Sequence, residues 1–239
     1  MTLTVALRGD ETLPDDEDVA AVPPDREPAA DGLVAAGAQA FRSLAADPPS
    51  VPVLPVAADV GPHGVPPERL DAVLRSLAAD PTAVDDTVAH PLLSVAVDGV
   101  RTRAVLDATL VTSEAARISE YAVAGVADSV SFRADGVVVA TPLGSAGYGH
   151  AAGGPVLTAV GGIAVVPVSP YTTRPRTWVA DLPLTVTVER DETPVSLVVD
   201  GTESRAVGVD DPVRLDRAGD VDLVRPPRGT GDARRLEKL

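Results

Sequence analysis

The sequence contains no cysteine, no asparagine and only one lysine, Lys238. Without cysteine the chain can form neither a disulfide framework nor a thiolate metal site. The three histidines, His63, His90 and His150, are widely separated, and no group of acidic residues has the spacing of metal ligands. The sequence therefore predicts no bound metal ion held by side chains of the chain itself.

Basic residues are also scarce. The chain has 20 Lys and Arg against 35 Asp and Glu, so its formal net charge is 20 − 35 = −15. A surface this negative argues against nucleic acid or an anionic membrane as a main partner. The bias towards Ala, Val, Asp, Gly, Pro and Arg is typical of a GC-rich genome, of adaptation to molar salt, or of both. We favour both and expect the source to be an extreme halophile.

Long apolar runs are absent as well. No stretch approaches the ~18 apolar residues of a membrane helix, and the N-terminus lacks a basic region followed by an apolar core. We therefore expect a soluble, cytoplasmic protein. A length of 239 residues allows one large or two small domains with a real core.

The spacing of apolar residues changes along the chain. Strands and helices alternate at first: strands are predicted at 2–7, 31–37 and 51–56, and helices at 40–46 and 68–79. From Leu92 onwards the period is two, with a tight hairpin turn at Asp98-Gly99. The predicted fold class is α/β followed by β. We place an α/β domain at 1–90, a β-rich domain at 91–225 and a C-terminal tail at 226–239.

A glycine-rich stretch organises the second half of the chain. The run Val137 to Ala140 is short and β-branched enough for a buried strand, and Thr141-Pro142 ends it. Small residues follow, so that a ligand can come close to the backbone at Gly144 and a helix can start there. On composition alone, a plain turn between two buried elements fits equally well.

The order of residues in this stretch is more specific. D-G-V-V-V-A-T-P-L-G-S-A-G-Y, followed by G-G-P, resembles the signature of the NAD kinase family. The resemblance implies a small Rossmann-like α/β domain followed by a β-sandwich-type domain with a pocket for NAD or NADP. It implies Mg²⁺ with ATP or polyphosphate only if the chain is an active kinase. The implied dinucleotide-binding residues are Asp107, Asp135, Thr141, Gly144, Ser145 and Tyr148.

The resemblance also places a catalytic corner at residues 37–41. The family has G-G-D-G-T there, and its aspartate is thought to accept the proton of the adenosine 2′-hydroxyl. This chain has Gly37-Ala38-Gln39-Ala40-Phe41. The neutral amide of Gln39 cannot act as that base near pH 7, and loss of a general base costs about 10²–10⁴-fold in rate. We also expect the β-carbons of Ala38 and Ala40 to hinder the approach of a phosphate to the backbone, and the Phe41 side chain to add bulk at this corner.

Two further segments bear on the ligand by resemblance. Leu106-Asp107-Ala108 stands where the family carries an asparagine-glutamate pair. The Asp107 side chain therefore retains a hydrogen-bond acceptor for the ligand, whereas the Ala108 side chain has none. A proline-containing segment ends in Arg174 and Arg176, which either face a phosphate or are simply solvated.

Three functional hypotheses remain from the sequence. The preferred one is a family member that binds NAD or NADP with impaired or lost kinase activity, as a regulatory protein or pseudoenzyme. The second is an active kinase that makes NADP from NAD and ATP or polyphosphate. The third is an assembly subunit that pairs through its β domain with itself or with an intact kinase. A homo-oligomer formed through the β domain is expected.

Overall fold

The computed structural model describes residues 2–9, 11–57, 61, 63–114, 117–126, 128–158, 161–191 and 193–226. The predicted tail, 226–239, therefore lies outside the described residues apart from Pro226. The chain divides into two compact units, residues 1–90 with 220–239, and residues 91–219.

The elements of the first part of the chain are as follows: β1 (Leu3–Gly9), β2 (Val19–Ala21), a 3₁₀ helix (Pro24–Ala29), β3 (Gly32–Ala36), α1 (Gly37–Ala46), β4 (Val53–Val56), a 3₁₀ helix (Pro67–Arg69), α2 (Leu70–Ala79) and a 3₁₀ helix (Pro81–Asp85). The remaining elements are β5 (Thr87–Val97), β6 (Val100–Ala104), β7 (Asp107–Thr112), β8 (Ser119–Ala124), β9 (Ser129–Ala134), β10 (Gly136–Ala140), a 3₁₀ helix (Gly144–Ala146), α3 (Tyr148–Ala151), β11 (Ile163–Val168), β12 (Trp178–Ala180), β13 (Leu184–Arg190), β14 (Val195–Val199), β15 (Thr202–Val207) and β16 (Val213–Val224).

The first unit is a parallel α/β layer. Its strands are ordered β2-β1-β3-β4, all parallel, and Leu223 at the end of β16 pairs with Val53 of β4. The apolar face of α2, which includes Val73 and Leu77, packs in one cluster with Leu3 and Leu54 of the sheet. α1 joins β3 to β4 and contacts β1 and β3. The unit is thus a small Rossmann-like layer, as predicted.

The second unit is a sandwich of mostly antiparallel strands. One sheet runs β12-β11-β10-β7-β14-β15, and β13 pairs with β8 and β16 in the other. The two sheets share a core in which Val137 and Val139 of β10 meet residues such as Tyr121, Val123 and Val186. The predicted hairpin is confirmed: Val97 pairs with Val100, and the turn residues Asp98 and Gly99 both have positive φ. The predicted α/β plus β fold class is confirmed.

The central strand of the second unit is buried on both faces. Alternate residues of β10 point to opposite sides of the sheet. Val138 and Ala140, on the face away from the main core, pack with Leu157, Ala164 and Val166. The segment after β10 must therefore fold back over this face, which positions the glycine-rich stretch.

Some predicted boundaries were wrong. The helix predicted at 40–46 begins at Gly37, whose φ is +83°, and the helix predicted at 68–79 is α-helical only from Leu70. The helix expected after Gly144 is a 3₁₀ turn followed by the four residues of α3. Among the described residues, no helix is long and apolar enough to cross a membrane.

Candidate functional site

The loop that follows β10, residues 141–148, is called the cradle loop below. Its first residue, Thr141, is fully buried, and its amide donates to the Leu106 carbonyl at 2.9 Å. The Thr141 hydroxyl lies 2.7 Å from the Val105 carbonyl and 3.0 Å from that of Leu106, and it accepts the Gly144 amide at 3.3 Å. Thr141 therefore joins the cradle loop to residues 105–106, and its hydroxyl is committed to that contact.

Gly144 is needed because of the same neighbouring segment. A β-carbon at this position would overlap the carbonyl group of Leu106. The close approach that the sequence analysis assigned to a ligand is therefore made, on this side of Gly144, by the Leu106 backbone. The glycine lets the cradle loop pack directly onto the start of β7.

Ser145 also faces inwards. Its side chain is buried, its hydroxyl donates to the Pro142 carbonyl at 2.8 Å, and it accepts the Leu157 amide at 2.9 Å. The hydroxyl thus closes the loop and anchors the chain that returns over β10. Tyr148 differs, because its side chain is 47% exposed at the start of α3. Of the cradle-loop side chains named here, Tyr148 is the one that can meet a ligand directly.

Asp107 lies beside the cradle loop, since it pairs with Ala140 at the end of β10. Its Oδ1 accepts the Thr109 hydroxyl at 3.0 Å. Burial raises the pKa of the Asp107 carboxyl to about 6, the Thr109 hydrogen bond opposes this rise, and the negative charge of Asp200 adds to it. Near pH 6 this carboxyl can therefore act as either a donor or an acceptor.

Asp200 directly follows β14 and was not among the site residues expected from the sequence. Its buried carboxylate accepts three consecutive amides, those of Val105 at 2.9 Å, Leu106 at 2.8 Å and Asp107 at 3.0 Å. Charge-assisted hydrogen bonds of this kind are among the strongest in proteins. Asp200 thereby fixes the corner onto which Thr141 and Gly144 pack.

Asp135 does not join this group within one chain. It precedes β10, its amide donates to the Val168 carbonyl, and its carbonyl accepts the Thr112 amide. Thr141 follows the other end of the same strand, and six residues of extended chain separate the two by roughly 20 Å. The structure therefore brings together Asp107, Thr141, Gly144 and Ser145, with Tyr148 next to them, and leaves Asp135 apart.

The predicted catalytic corner lies in the first unit. Gly37, Ala38 and Gln39 are exposed at the start of α1, and no side chain caps this helix end. Phe41 is 2% exposed and belongs to the buried face of α1. The expectation that Phe41 obstructs the corner was therefore wrong, because its ring points into the interior. Within this corner Gly37 is the residue with positive φ, so Ala38 and Ala40 are unstrained helical residues.

Metal ligands are not clustered in the part of the chain that the structure describes. There, no group of three or more His, Asp or Glu side chains is placed to hold an ion. The first amides of α1 have no side-chain cap and can donate hydrogen bonds to a phosphate.

Comparison with known sequences matches part of this chain to NAD kinases. The family model described as "ATP-NAD kinase C-terminal domain" matches residues 107–221. The NAD kinase of Methanosarcina barkeri is 40% identical over 91 residues, which are 37% of this chain and 33% of that protein. The NAD kinase of Gemmatimonas aurantiaca is 34% identical over 167 residues, 64% of this chain and 58% of that protein. These alignments thus span from a third to somewhat over half of the relatives' lengths.

Two solved structures share the fold of the whole chain. Yeast NADH kinase complexed with NADH has a TM-score of 0.71 at 15% identity, covering 100% of this chain and 87% of that one. An NAD kinase from Archaeoglobus fulgidus in complex with ATP has a TM-score of 0.63 at 20% identity, covering 100% and 97%. Together with the sequence matches, they show that this chain has the fold of NAD kinases and that its residues 107–221 match the C-terminal domain of that family.

Proposed function

We propose that this chain binds NAD or NADP through its second unit and that its ability to phosphorylate the NAD 2′-hydroxyl is impaired or lost. Binding is supported by the family model, which covers the cradle loop, and by the relative that is complexed with NADH. It is also supported by the cradle itself, where Asp107 and the exposed ring of Tyr148 flank a firmly anchored loop.

The observation that carries the catalytic part of the proposal is the identity of residue 39. Gln39 stands where the family carries its aspartate, and it is exposed in the first turn of α1. A neutral amide accepts hydrogen bonds but does not take up a proton near neutral pH. If no other carboxylate replaces the missing base, the rate falls by about 10²–10⁴-fold.

An active kinase is the second candidate, and two observations favour it. The first turn of α1 is exposed and uncapped, and the Phe41 ring is buried away from it. Phosphoryl transfer depends largely on positioning and electrostatic stabilisation, so these amides could support a residual rate with Mg²⁺ and ATP or polyphosphate.

Assembly through the β domain is the third candidate. Asp135 lies at the far end of β10 from Thr141, roughly 20 Å away along the strand, so within one chain it lies apart from the cradle. A second copy could supply Asp135 to the first copy's cradle. Sedimentation with and without NAD tests this, because the hypothesis requires association that strengthens with ligand and weakens in Asp135→Ala.

Calorimetric titration with NAD and with NADP tests binding. We expect saturable binding that is weakened in Tyr148→Ala and largely kept in Tyr148→Phe, which retains the ring. Absence of heat with both dinucleotides would refute the binding proposal and the active-kinase alternative together.

A coupled assay of NADP formation, with ATP and separately with polyphosphate, tests the chemistry. We expect little or no turnover in the parent, and an increase of about 10²-fold or more in Gln39→Asp. Gln39→Asn is the matched control, since it has the size of aspartate without its basicity, and it should remain inactive. Fast turnover in the parent would overturn the assignment of Gln39.

A further inference from the structure

Asp107 and Asp200 form an acidic corner at the start of β7. The Asp107 amide donates to Asp200 Oδ1 at 3.0 Å, and the Asp200 amide donates to the Asp107 carbonyl at 3.0 Å. These two contacts hold both residues in one small region, in which Asp200 is 5% exposed and Asp107 remains partly exposed. Of the two carboxyl groups, that of Asp107 is therefore the one that a ligand in the cradle can contact.

The two strands that flank β7 bring no further charge to Asp107. Asp107 pairs with Ala140 at the end of β10, and Asp200 directly follows Val199 of β14. Neither β10 nor β14 contains an ionisable side chain, and the Thr109 hydroxyl that donates to Asp107 Oδ1 is neutral. In the part of the chain that the structure describes, the charged group that acts on the Asp107 carboxyl is therefore Asp200, which has the same sign as ionised Asp107.

Lysine and arginine are missing from the cradle sequence. Residues 136–173 contain neither of them. Arg174 and Arg176 follow the end of β11 that pairs with Gly136, which is the end away from the cradle loop. The side chain of the cradle that can gain a positive charge is His150 of α3, whose Nδ1 lies 3.1 Å from the carbonyl oxygen of residue 154. The side chains at the cradle therefore sum to a negative charge whenever Asp107 is ionised.

A dinucleotide brings further negative charge to this corner. The diphosphate of NAD is an anion, and NADP carries an additional phosphate. A nearby like charge disfavours the ionised form of a carboxyl group, and the repulsion grows where a bound ligand excludes water. A bound dinucleotide should therefore favour the protonated, neutral form of Asp107, which can also donate a hydrogen bond to the ligand.

From this arrangement of two carboxyl groups without a lysine or arginine, we propose that Asp107 couples dinucleotide binding to the uptake of a proton, so that the cradle binds NAD and NADP more tightly in mild acid than in mild alkali. The inference rests on the proposed dinucleotide site and adds to it a regulation by pH. The asparagine that the family carries at this position cannot change its charge in this range, so it would not provide such coupling. The additional phosphate of NADP should make its affinity depend more steeply on pH than that of NAD.

The size of the effect follows from the ionisation of Asp107. Burial, reinforced by the charge of Asp200, raises its pKa to about 6. At about pH 8 roughly one chain in 100 then carries the proton, whereas at about pH 5 most chains carry it. If the protonated form binds and the ionised form does not, the apparent affinity falls in proportion to the protonated fraction. We expect the affinity for NAD to fall by roughly 10- to 100-fold between about pH 5 and about pH 8.

Calorimetric titration with NAD and with NADP at about pH 5, about pH 6.5 and about pH 8 measures this dependence. Repeating the parent titration near pH 7 in Hepes and in Tris, which differ in ionisation enthalpy, gives the number of protons taken up, and we expect about one per NAD. Asp107→Asn should bind at about pH 8 nearly as tightly as the parent binds at about pH 5, and without proton uptake. His150→Gln is the matched control, because it removes the other side chain of the cradle that titrates in this range. It should keep the dependence of the parent.

The outcomes distinguish this inference from the proposed site itself. If neither dinucleotide bound at any pH, in the parent and in Asp107→Asn alike, the dinucleotide site and the coupling would both be overturned. Saturable binding with equal affinity at the two extremes of pH, or with an equal fall in Asp107→Asn, would overturn the coupling and leave the site intact. Loss of the dependence in His150→Gln would assign it to His150 instead of Asp107. Circular dichroism at each pH confirms that each variant is folded.

Discussion

The ionisation of Asp107 should limit the stability of the second unit, and Asp107→Asn tests this. The carboxyl is mostly buried at the start of β7, accepts the Thr109 hydroxyl at 3.0 Å and lies near the buried carboxylate of Asp200. Burial, reinforced by Asp200, raises its pKa from 3.8 to about 6. Asparagine removes the charge, and its side-chain oxygen can still accept the Thr109 hydrogen bond.

The sign of the effect follows from proton linkage. The folded chain holds the Asp107 proton more tightly than the unfolded chain, because the pKa is raised on folding. This contribution to stability is complete below a pH of about 3.8 and is lost as the pH rises through about 6. The difference in pKa corresponds to an upper limit of roughly 3 kcal/mol. Asp107→Asn should therefore be more stable than the parent by up to roughly 3 kcal/mol at about pH 8, and by about half of that at about pH 5.

Denaturant unfolding followed by Trp178 fluorescence measures this, because the only tryptophan lies in the second unit. The control is Asp216→Asn, which removes the same charge from an exposed position on β16. It should show a much smaller gain and a flatter pH dependence. If Asp107→Asn were less stable than the parent at about pH 8, or if its advantage did not shrink at about pH 5, the proposed cost of ionising Asp107 would be refuted.

Three further substitutions test the anchoring of the cradle loop. In a denaturant titration, Gly144→Ala should lower the free energy of unfolding by several kcal/mol, because the added β-carbon overlaps the Leu106 carbonyl. The control Gly161→Ala should be nearly neutral, because open space surrounds the position of its β-carbon. Thr141→Val should lower the thermal unfolding temperature, at a cost of about 1–3 kcal/mol for the lost hydrogen bonds of the hydroxyl to the Val105 carbonyl and from the Gly144 amide, and Thr141→Ser should not. Asp200→Asn should weaken calorimetric NAD binding and destabilise the unit, since an amide nitrogen cannot accept backbone N–H groups; unchanged binding would contradict its positioning role.

Local patterns were enough to predict most of the fold. The hairpin at Asp98-Gly99 follows from alternating residues around a two-residue turn, and β10 follows from a short β-branched run. The start of α1 was missed because Gly37-Ala38-Gln39 contains none of the residues that usually cap a helix. Without a capping signal, the helix boundary depends on packing that the sequence does not display.

The sequence indicated candidate site residues but not the directions in which their side chains point. Thr141 and Ser145 were expected to bind a ligand, yet their hydroxyls bond to backbone groups of Val105, Pro142 and Leu157. Asp200 is 95 residues from Val105 in sequence, so no local pattern could indicate that its carboxylate holds that corner. Such contacts arise only when distant strands of the sheet pair.

The internal hydrogen bonds of Thr141 and Ser145 limit how the cradle can contact a dinucleotide. Because the hydroxyls of Thr141 and Ser145 are bonded internally, we expect specificity at the cradle to depend on Asp107, on the Tyr148 ring and on the backbone shape that Asp200 imposes. The two units have separate hydrophobic cores, and Gln39 lies on the first of them. The hydrogen bonds described above for the cradle loop all join residues of the second unit. Loss of the catalytic base and retention of the dinucleotide site are thus physically compatible, because different cores maintain the two features.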